Sequence, residues 1–181
     1  MYYKKLIGTK CYLSPIDIND AEKYAEWLND LEVTSNLNLY ASVINTETEK
    51  SLLEKLSKEH HYAIIDCNSD DMIGTCGFLE VDHLNQAAEI GIFIGNKKFW
   101  NKGFGTESLR LLLDYGFKAL NLHNVMLKVY SFNERAVKSY QKTGFKIMGK
   151  RREALKRGNK TFDIIYMDIT YGDFYGEAAH Q

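Results

Sequence analysis

The chain has little of several features that would define other classes of protein. It contains 1 proline in 181 residues and no low-complexity tract, so linker-rich and repeat architectures are excluded. No apolar run approaches the roughly 18 residues that a membrane-spanning helix needs, and the first residues lack the apolar stretch of a signal peptide. The formal net charge of -1 argues against a chain-wide nucleic-acid-binding surface. These absences indicate one globular, non-membrane protein.

Cysteine and histidine are also sparse, and neither forms a pattern typical of a metal site. Cys11, Cys67 and Cys76 are an odd number without CxxC spacing, which indicates reduced thiols and a cytoplasmic location. The histidines lack HExxH spacing, and the neighbours His60 and His61 would point in different directions on a strand. We therefore expect no metal.

Hydrophobic periodicity predicts alternating strands and helices. Helical spacing occurs at residues 20–28, 46–58, 106–120 and 133–143. Strands are predicted at residues 10–14, 62–66, 72–81, 88–94, 125–130, 145–153 and 162–169. Thr46–Glu49 fits a capping box, Asn133 is placed to cap its helix, and Gly144 stands where that helix ends. This order predicts a mixed sheet in a single α/β (α+β) domain that covers residues 1–181.

The stretch GNKKFWNKGFGTESLRLLLDYGF joins a predicted strand to the longest predicted helix. Gly103 and Gly105 allow the backbone to approach a ligand closely. The helix directs its free N–H groups and its positive dipole end at this turn, and Lys97, Lys98 and Lys102 add positive charge at the rim. The turn could hold a phosphate or pyrophosphate, although a tight turn in which glycine only relieves strain explains the same residues.

Two familiar phosphate-binding motifs fit this turn poorly. A P-loop needs Ser or Thr after a Gly-Lys pair, but here Lys102 precedes Gly103. A dinucleotide fingerprint needs a third glycine, and Ser108 occupies that position.

A third motif accounts for more of the chain. Residues 100–107, WNKGFGTE, resemble the acetyl-CoA pyrophosphate loop of the GNAT acetyltransferases, whose pattern is Q/R-x-x-G-x-G/A. Residues 121–145, NLHNVMLKVYSFNERAVKSYQKTGF, are similar to the second half of that family's core: a strand, an asparagine that opens a helix, a tyrosine in the helix, then Gly-Phe. The resemblance covers about residues 11–169 and is nearest to the branch of ribosomal-protein N-terminal and spermidine acetyltransferases. It implies a central, mostly antiparallel sheet flanked by helices.

The resemblance implies acetyl-CoA as co-substrate and assigns its contacts. The loop contacts would come from Trp100, Asn101, Lys102, Gly103, Phe104, Gly105 and Thr106. The pantetheine arm would follow the backbone of Ile92, Phe93 and Ile94, and Asn133 would bind the pantetheine or the sulfur side of the site. Trp100 departs from the family's Gln or Arg. Since the loop binds mainly through backbone N–H groups, we expect cofactor binding to be retained.

Acetyl transfer to an amine needs an acid for the leaving thiolate and an acceptor for the amine's proton. The resemblance implies that Tyr140 is the acid, because its hydroxyl would face the sulfur. On residues alone, Tyr140 could simply pack beside Ala136 and Val137. Glu89 is the candidate base, acting through water. The alternatives are that Glu89 is only an edge carboxylate in solvent, that Glu80 is the base, or that the amine loses its proton directly to solvent.

The acceptor is a primary amine, either a small molecule or a peptide N-terminus. In relatives the N-terminal helices and the last strand pair build its pocket; the candidates here are Trp27, Asn29, Asp30, Glu32, Asn36 and Tyr40, with Tyr130 and Phe132 as walls. Asp30 and Glu32 would attract a polyamine or an α-amine. The basic hairpin, residues 150–160, carries six cations and would suit an amino-sugar nucleotide, a ribosomal surface or nucleic acid, unless it is only solvated.

The leading hypothesis is therefore an N-acetyltransferase. A catalytically silent acyl-CoA-binding module is the second, and a nucleic-acid-binding protein, which rests on the hairpin charge alone, is the third. Relatives are often dimers, so a homodimer is expected by analogy only.

Overall fold

The computed structural model describes residues 1–176 and shows the mixed sheet that the sequence predicts. The strands are β1 (Leu6–Ile7), β2 (Cys11–Pro15), β3 (His61–Asp66), β4 (Met72–Asp82), β5 (Ala87–Ile94), β6 (Asn124–Tyr130), β7 (Lys146–Arg157) and β8 (Lys160–Thr170). The helices are α1 (Ala21–Asn29), α2 (Leu31–Thr34), α3 (Thr46–Leu56), α4 (Phe104–Ala119), α5 (Glu134–Thr143) and α6 (Tyr171–Tyr175), with 3-10 turns at Ile18–Asp20 and Lys97–Phe99. The sheet has 8 strands in the order β1-β2-β3-β4-β5-β6-β8-β7, which confirms the predicted fold class.

Contacts divide the chain into two compact units. The first contains Met1–Phe78 and Gly91–Leu112. Within it, β1–β2, β2–β3 and β3–β4 pair antiparallel. Its core forms where the apolar faces of α1 and α3 cover these strands, because amphipathic helices must bury their apolar stripe. The buried residues of this core are Tyr12, Ile16, Ala21, Tyr24, Trp27, Val33, Leu53, Ala63, Ile65 and Met72.

The second unit contains Leu79–Ile90 and the chain from Leu113 onward. Here β5 and β6 pair in parallel, from Ala87 opposite Asn124 to Glu89 opposite Met126. β6–β8 and β7–β8 are antiparallel, so the predicted final strand pair is a hairpin. Alternate residues of β6 and β8 supply its fully buried core, as expected for strands with a period of two: Val125, Leu127, Met167 and Ile169.

Some local details differ from the sequence prediction. The N-cap of α3 is Asn45, whose Oδ1 accepts a hydrogen bond from the Thr48 N–H at 2.7 Å. The predicted capping box at Thr46–Glu49 is therefore wrong by one residue, since Thr46 already lies inside the helix. α4 begins at Phe104 rather than at Thr106. β1, α2 and α6 were not predicted, because elements this short have no measurable periodicity.

Other predicted features agree or stay untested. Asn133 caps α5 through its side chain, and Gly144 ends the helix in the left-handed region. No helix within residues 1–176 is long and apolar enough to cross a membrane. Residues 177–181 of the predicted domain lie outside the described residues, and the single-domain assignment stays a prediction.

The end of α5 gives a stability test, because Gly144 has φ +112° and accepts no side chain without strain. A Cβ at this position would also lie 3.0 Å from Ile169 Cδ1. Gly144→Ala should lower the free energy of unfolding by about 1–2 kcal/mol, the cost of a left-handed L-residue. Urea denaturation measures this change.

Gly149→Ala is the matched control, since a Cβ there would meet nothing within 4 Å. Equal stability of the two variants would contradict the role given to Gly144.

Candidate functional site

The glycine-rich turn before α4 has the backbone geometry of a ligand-binding loop. Gly103 has φ +87° and Asn101 has φ 60°, so the chain enters the left-handed region twice just before the helix begins. A Cβ added to Gly105 would meet no protein atom within 4 Å. Packing within the protein therefore does not require glycine at position 105, whereas close approach of a ligand to the backbone would. The open space beside a helix N-terminus fits a diphosphate.

Buried side chains hold this turn on its protein-facing side. Phe104 is buried and its ring meets Phe99 edge-on, with ring centroids 5.1 Å apart. Ser108 is fully buried, and its hydroxyl donates to the Phe104 carbonyl at 2.9 Å. The first turn of α4 is thus held by core contacts, which leave its backbone orientation independent of any ligand.

Trp100, which replaces the family's Gln or Arg, has a structural contact. Its indole N–H donates to the carbonyl of Ile94 at 2.8 Å, and its ring packs against the core of the first unit. This hydrogen bond ties the loop to the end of β5. The predicted cofactor position Trp100 therefore lies at the loop, where it anchors the backbone in place of the family's Gln or Arg.

The strand positions assigned to the pantetheine arm, Ile92–Ile94, are half-buried. The Phe93 ring packs edge-on against Tyr24 and Trp27, with centroids 6.4 Å apart in both pairs. A Cβ at Gly74 would overlap the Phe93 carbonyl oxygen, so glycine is needed for β4 to approach β5 this closely. Packing of the Phe93 side chain fixes this strand, and the contact of its backbone with pantetheine stays a prediction.

The structure reassigns one of the rim cations. The Lys97 ammonium lies 2.7 Å from Asp30 Oδ2 and 2.8 Å from Glu32 Oε2. These hydrogen bonds raise the pKa of Lys97, and the Lys97 bond lowers the pKa of Asp30. Lys97 is therefore committed to two carboxylates rather than to the loop. For the same reason Asp30 and Glu32 do not form the free acidic patch that the sequence suggested for a cationic acceptor.

Two residues with no predicted role contact the loop. Glu107 accepts hydrogen bonds from the backbone N–H groups of Thr9 and Lys10. The Lys10 ammonium donates to the carbonyl of Lys102 at 2.7 Å. No local pattern could have revealed these contacts, because about a hundred residues separate the partners and only the fold brings them together.

In the second unit, Asn133 and Tyr140 lie on α5. Asn133 Oδ1 accepts a hydrogen bond from the Ala136 N–H at 3.1 Å. This leaves its side-chain NH₂ group as a donor.

Tyr140 has the protonation state that an acid requires. Its ring packs edge-on against Phe145, with centroids 6.0 Å apart, and within residues 1–176 its hydroxyl has no hydrogen-bond partner. Desolvation raises the pKa of Tyr140 to about 12, although the charge of Arg135 opposes this. The phenol is therefore protonated at neutral pH and can donate.

The apolar face of α5 is incompletely covered. Ala136, Val137 and Tyr140 are each only half-buried. By contrast, the apolar stripe of α4 is nearly inaccessible, with Leu112 and Leu113 at 0% exposure. An apolar face that the protein leaves partly open is typical of a helix that also contacts a ligand.

Glu89 lies in β5 opposite Met126 and forms an ion pair. Its Oε2 is 2.7 Å from the Lys128 ammonium, and the Glu89 side chain is 16% exposed. The hydrogen bond to Glu89 raises the pKa of Lys128. The carboxylate is therefore accessible to water yet already engaged with a cation.

The basic hairpin consists of β7, β8 and a turn at Gly158, where φ is 55°. Its cations are exposed except Arg157, which is half-buried and lies over the Tyr130 ring. Lys150 and Arg151 line a shallow depression of about 370 Å³. Within residues 1–176, no group of three or more potential ligand side chains could hold a metal ion.

Comparisons with known proteins agree with this geometry. A family model described as an acetyltransferase (GNAT) domain matches residues 10–146. The uncharacterised N-acetyltransferase p20 of Bacillus licheniformis is 30% identical over 169 residues, which cover 91% of this chain and 94% of that protein.

Two solved structures show the same fold. Spermidine N-acetyltransferase from Vibrio cholerae, solved with CoA and spermine, has a TM-score of 0.82 at 23% identity and covers 92% of this chain and 99% of its own. RimL, a ribosomal-protein α-N-acetyltransferase solved with coenzyme A, has a TM-score of 0.79 at 15% identity, with coverage of 91% and 96%.

Proposed function

The chain belongs to the GNAT acetyltransferase family, and on that premise we propose that it moves an acetyl group from acetyl-CoA directly to a primary amine. The observation that carries the proposal is the loop before α4: left-handed Gly103, then Gly105 with open space where its Cβ would be. Both compact units would act together as one N-acetyltransferase domain over residues 1–181.

The proposed cofactor contacts follow the chain from β5 to α5. The backbone at Asn101–Thr106 would hold the diphosphate, since N–H groups at a helix N-terminus suit an anion. The backbone of Ile92–Ile94 would hold the pantetheine arm, and the side-chain NH₂ of Asn133 would donate to it. Acetyl-CoA supplies the activated thioester; the protein supplies binding, orientation and proton transfer.

Tyr140 would act as the general acid. As the amine nitrogen bonds to the acetyl carbon, the carbon–sulfur bond breaks and the sulfur leaves with its electron pair. Tyr140 Oη would then give its proton to that sulfur and later recover one from solvent. Its hydroxyl, which has no hydrogen-bond partner within residues 1–176, and its pKa of about 12 support this role, because the phenol carries its proton at neutral pH.

Glu89 would accept the amine's proton through water. Its limited exposure and its position on β5 support this assignment, but the ion pair with Lys128 opposes it, because Lys128 already occupies one carboxylate oxygen. Direct release of the amine's proton to solvent is the alternative, and the two are distinguished below.

For the acceptor, we propose a small amine such as a polyamine, or a protein N-terminus. The support is that one structural neighbour acts on spermidine and another on a ribosomal protein's α-amine. The exposed cations of the basic hairpin favour an acidic acceptor instead, such as an amino-sugar nucleotide. The retained Tyr140 and Asn133 count against a silent acyl-CoA-binding module, so we rank it lower. The basic hairpin alone would support nucleic-acid binding.

Tyr140→Phe tests the proposed acid. Removal of the hydroxyl should lower the turnover number at least about tenfold, because general-acid catalysis contributes this much or more. Affinity for CoA should not change, since the ring that packs on Phe145 is retained. Thiol release from acetyl-CoA and calorimetric titration with CoA measure the two quantities.

Tyr175→Phe is the matched control. Its hydroxyl donates to Asp114 at 2.7 Å, so its loss should reduce stability without slowing turnover. Full activity in Tyr140→Phe would remove Tyr140 from the mechanism.

Paired substitutions at the ion pair test Glu89. If Glu89 accepts the proton, Glu89→Gln should lower kcat/KM at least about tenfold, while Lys128→Met, which keeps the carboxylate, should change it by less than about twofold. Steady-state rates at several pH values provide the measurement. Equal losses in both variants would show that the ion pair has only a structural role and that solvent takes the proton.

A further inference from the structure

The segment before β2 lies against the first turn of α4. Glu107 accepts hydrogen bonds from the Thr9 N–H, from the Thr9 hydroxyl at 3.0 Å and from the Lys10 N–H at 3.1 Å. A Cβ at Gly8 would overlap Glu107 Oε1, so the carboxylate fits here because residue 8 is glycine. Three donors compensate the charge of Glu107, which fixes the position of this segment relative to the loop.

The side chain of Lys10 returns from this fixed point to the glycine-rich loop. Its ammonium donates to the Lys102 carbonyl at 2.7 Å and lies 3.3 Å from the position that a Cβ of Gly103 would occupy. Lys10 is thus held at its backbone by Glu107 and at its tip by the loop. An ammonium has three donors, and the bond to Lys102 uses one of them.

The other cations near the loop are placed differently. Lys97 is paired with Asp30 and Glu32. The Lys102 ammonium lies 6.0 Å from the centroid of the Phe99 ring. Lys10 is therefore the cation that the fold holds beside Gly103, where the backbone is shaped for an anion.

We propose that Lys10 is a cofactor-binding residue whose ammonium donates to the diphosphate of CoA, an inference that rests on the proposed function. Glu107 is the positioning residue that holds Lys10 there. The bond to Lys102 also fixes the plane of the 102–103 peptide, and with it the direction of the Gly103 N–H. The remaining donors of Lys10 would form charge-assisted hydrogen bonds to phosphate oxygens.

Ligands that differ in their phosphates test the assignment. CoA, dephospho-CoA (which keeps the diphosphate but lacks the 3′-phosphate) and pantetheine would each be titrated calorimetrically into wild type and Lys10→Met. The variant should bind CoA and dephospho-CoA about tenfold more weakly, the effect of one hydrogen bond to a charged group. Pantetheine, which has no phosphate, should bind both proteins equally.

Lys98→Met is the matched control, because Lys98 is exposed in the same region and its side chain forms no hydrogen bond or ion pair within residues 1–176. Equal weakening in Lys98→Met would mean that only net charge matters and would overturn the inference. Unchanged CoA affinity in Lys10→Met would also overturn it. A penalty seen with CoA but not with dephospho-CoA would assign Lys10 to the 3′-phosphate and contradict the diphosphate contact.

Glu107→Gln tests the positioning role through a double-mutant cycle. Glu107→Gln should weaken CoA binding in the wild-type background and add little in the Lys10→Met background, because both changes remove the same contact. Additive effects would show that Glu107 stabilises the loop without acting through Lys10. If wild type bound no CoA, the proposed function itself would fail; if it bound CoA but the variants matched it, only the assignment of Lys10 and Glu107 would fail.

Discussion

The left-handed backbone at Gly103, directly before the first turn of α4, is the constraint on which the candidate site depends. The first N–H groups of a helix have no carbonyl acceptor within the helix. Gly105 has no side chain, and the space that its Cβ would occupy is open. Around this point, Phe104 and Ser108 bury the helix start, and Trp100 ties the loop to β5. The energy that holds the loop thus comes from the protein, so the loop is ordered before a ligand arrives, which lowers the entropic cost of binding.

The proposed chemistry depends on a second, separate arrangement in the other unit. α5 begins at a side-chain cap, ends at a left-handed glycine and carries Tyr140 on a half-buried apolar face. Desolvation keeps the phenol protonated, which is the state that an acid must have before it acts. Glu89 differs from Tyr140, because its carboxylate already forms an ion pair with Lys128. A phenol on α5 and a carboxylate on β5 are the two kinds of group that the proposed direct transfer would use for its proton transfers.

The sequence allowed the main features to be predicted wherever the determinants are local. The strand–turn–helix around Gly103 and the caps of α5 depend on neighbouring residues, and both agree with the structure. An error arose where two neighbouring residues suit the same role: Asn45 and Thr46 can each cap a helix, and in the structure the Asn45 side chain accepts from the Thr48 N–H. Lys97 was expected at the rim of the loop. It pairs instead with Asp30 and Glu32, which are distant in sequence and are brought to it only by the fold. The contact between Lys10 and Glu107 could not be predicted for the same reason, since it joins distant parts of the chain.

The most direct test of the account is release of free CoA thiol from acetyl-CoA by the purified protein across a panel of amines. The panel would contain spermidine, peptides with a free N-terminal Ser or Ala, amino-sugar nucleotides and free amino acids. The account predicts that thiol release depends on one class of amine and follows saturable CoA binding. Saturable binding without release for any amine would contradict the transferase and favour a silent acyl-CoA-binding module. Absence of CoA binding would contradict the interpretation of the glycine-rich loop itself.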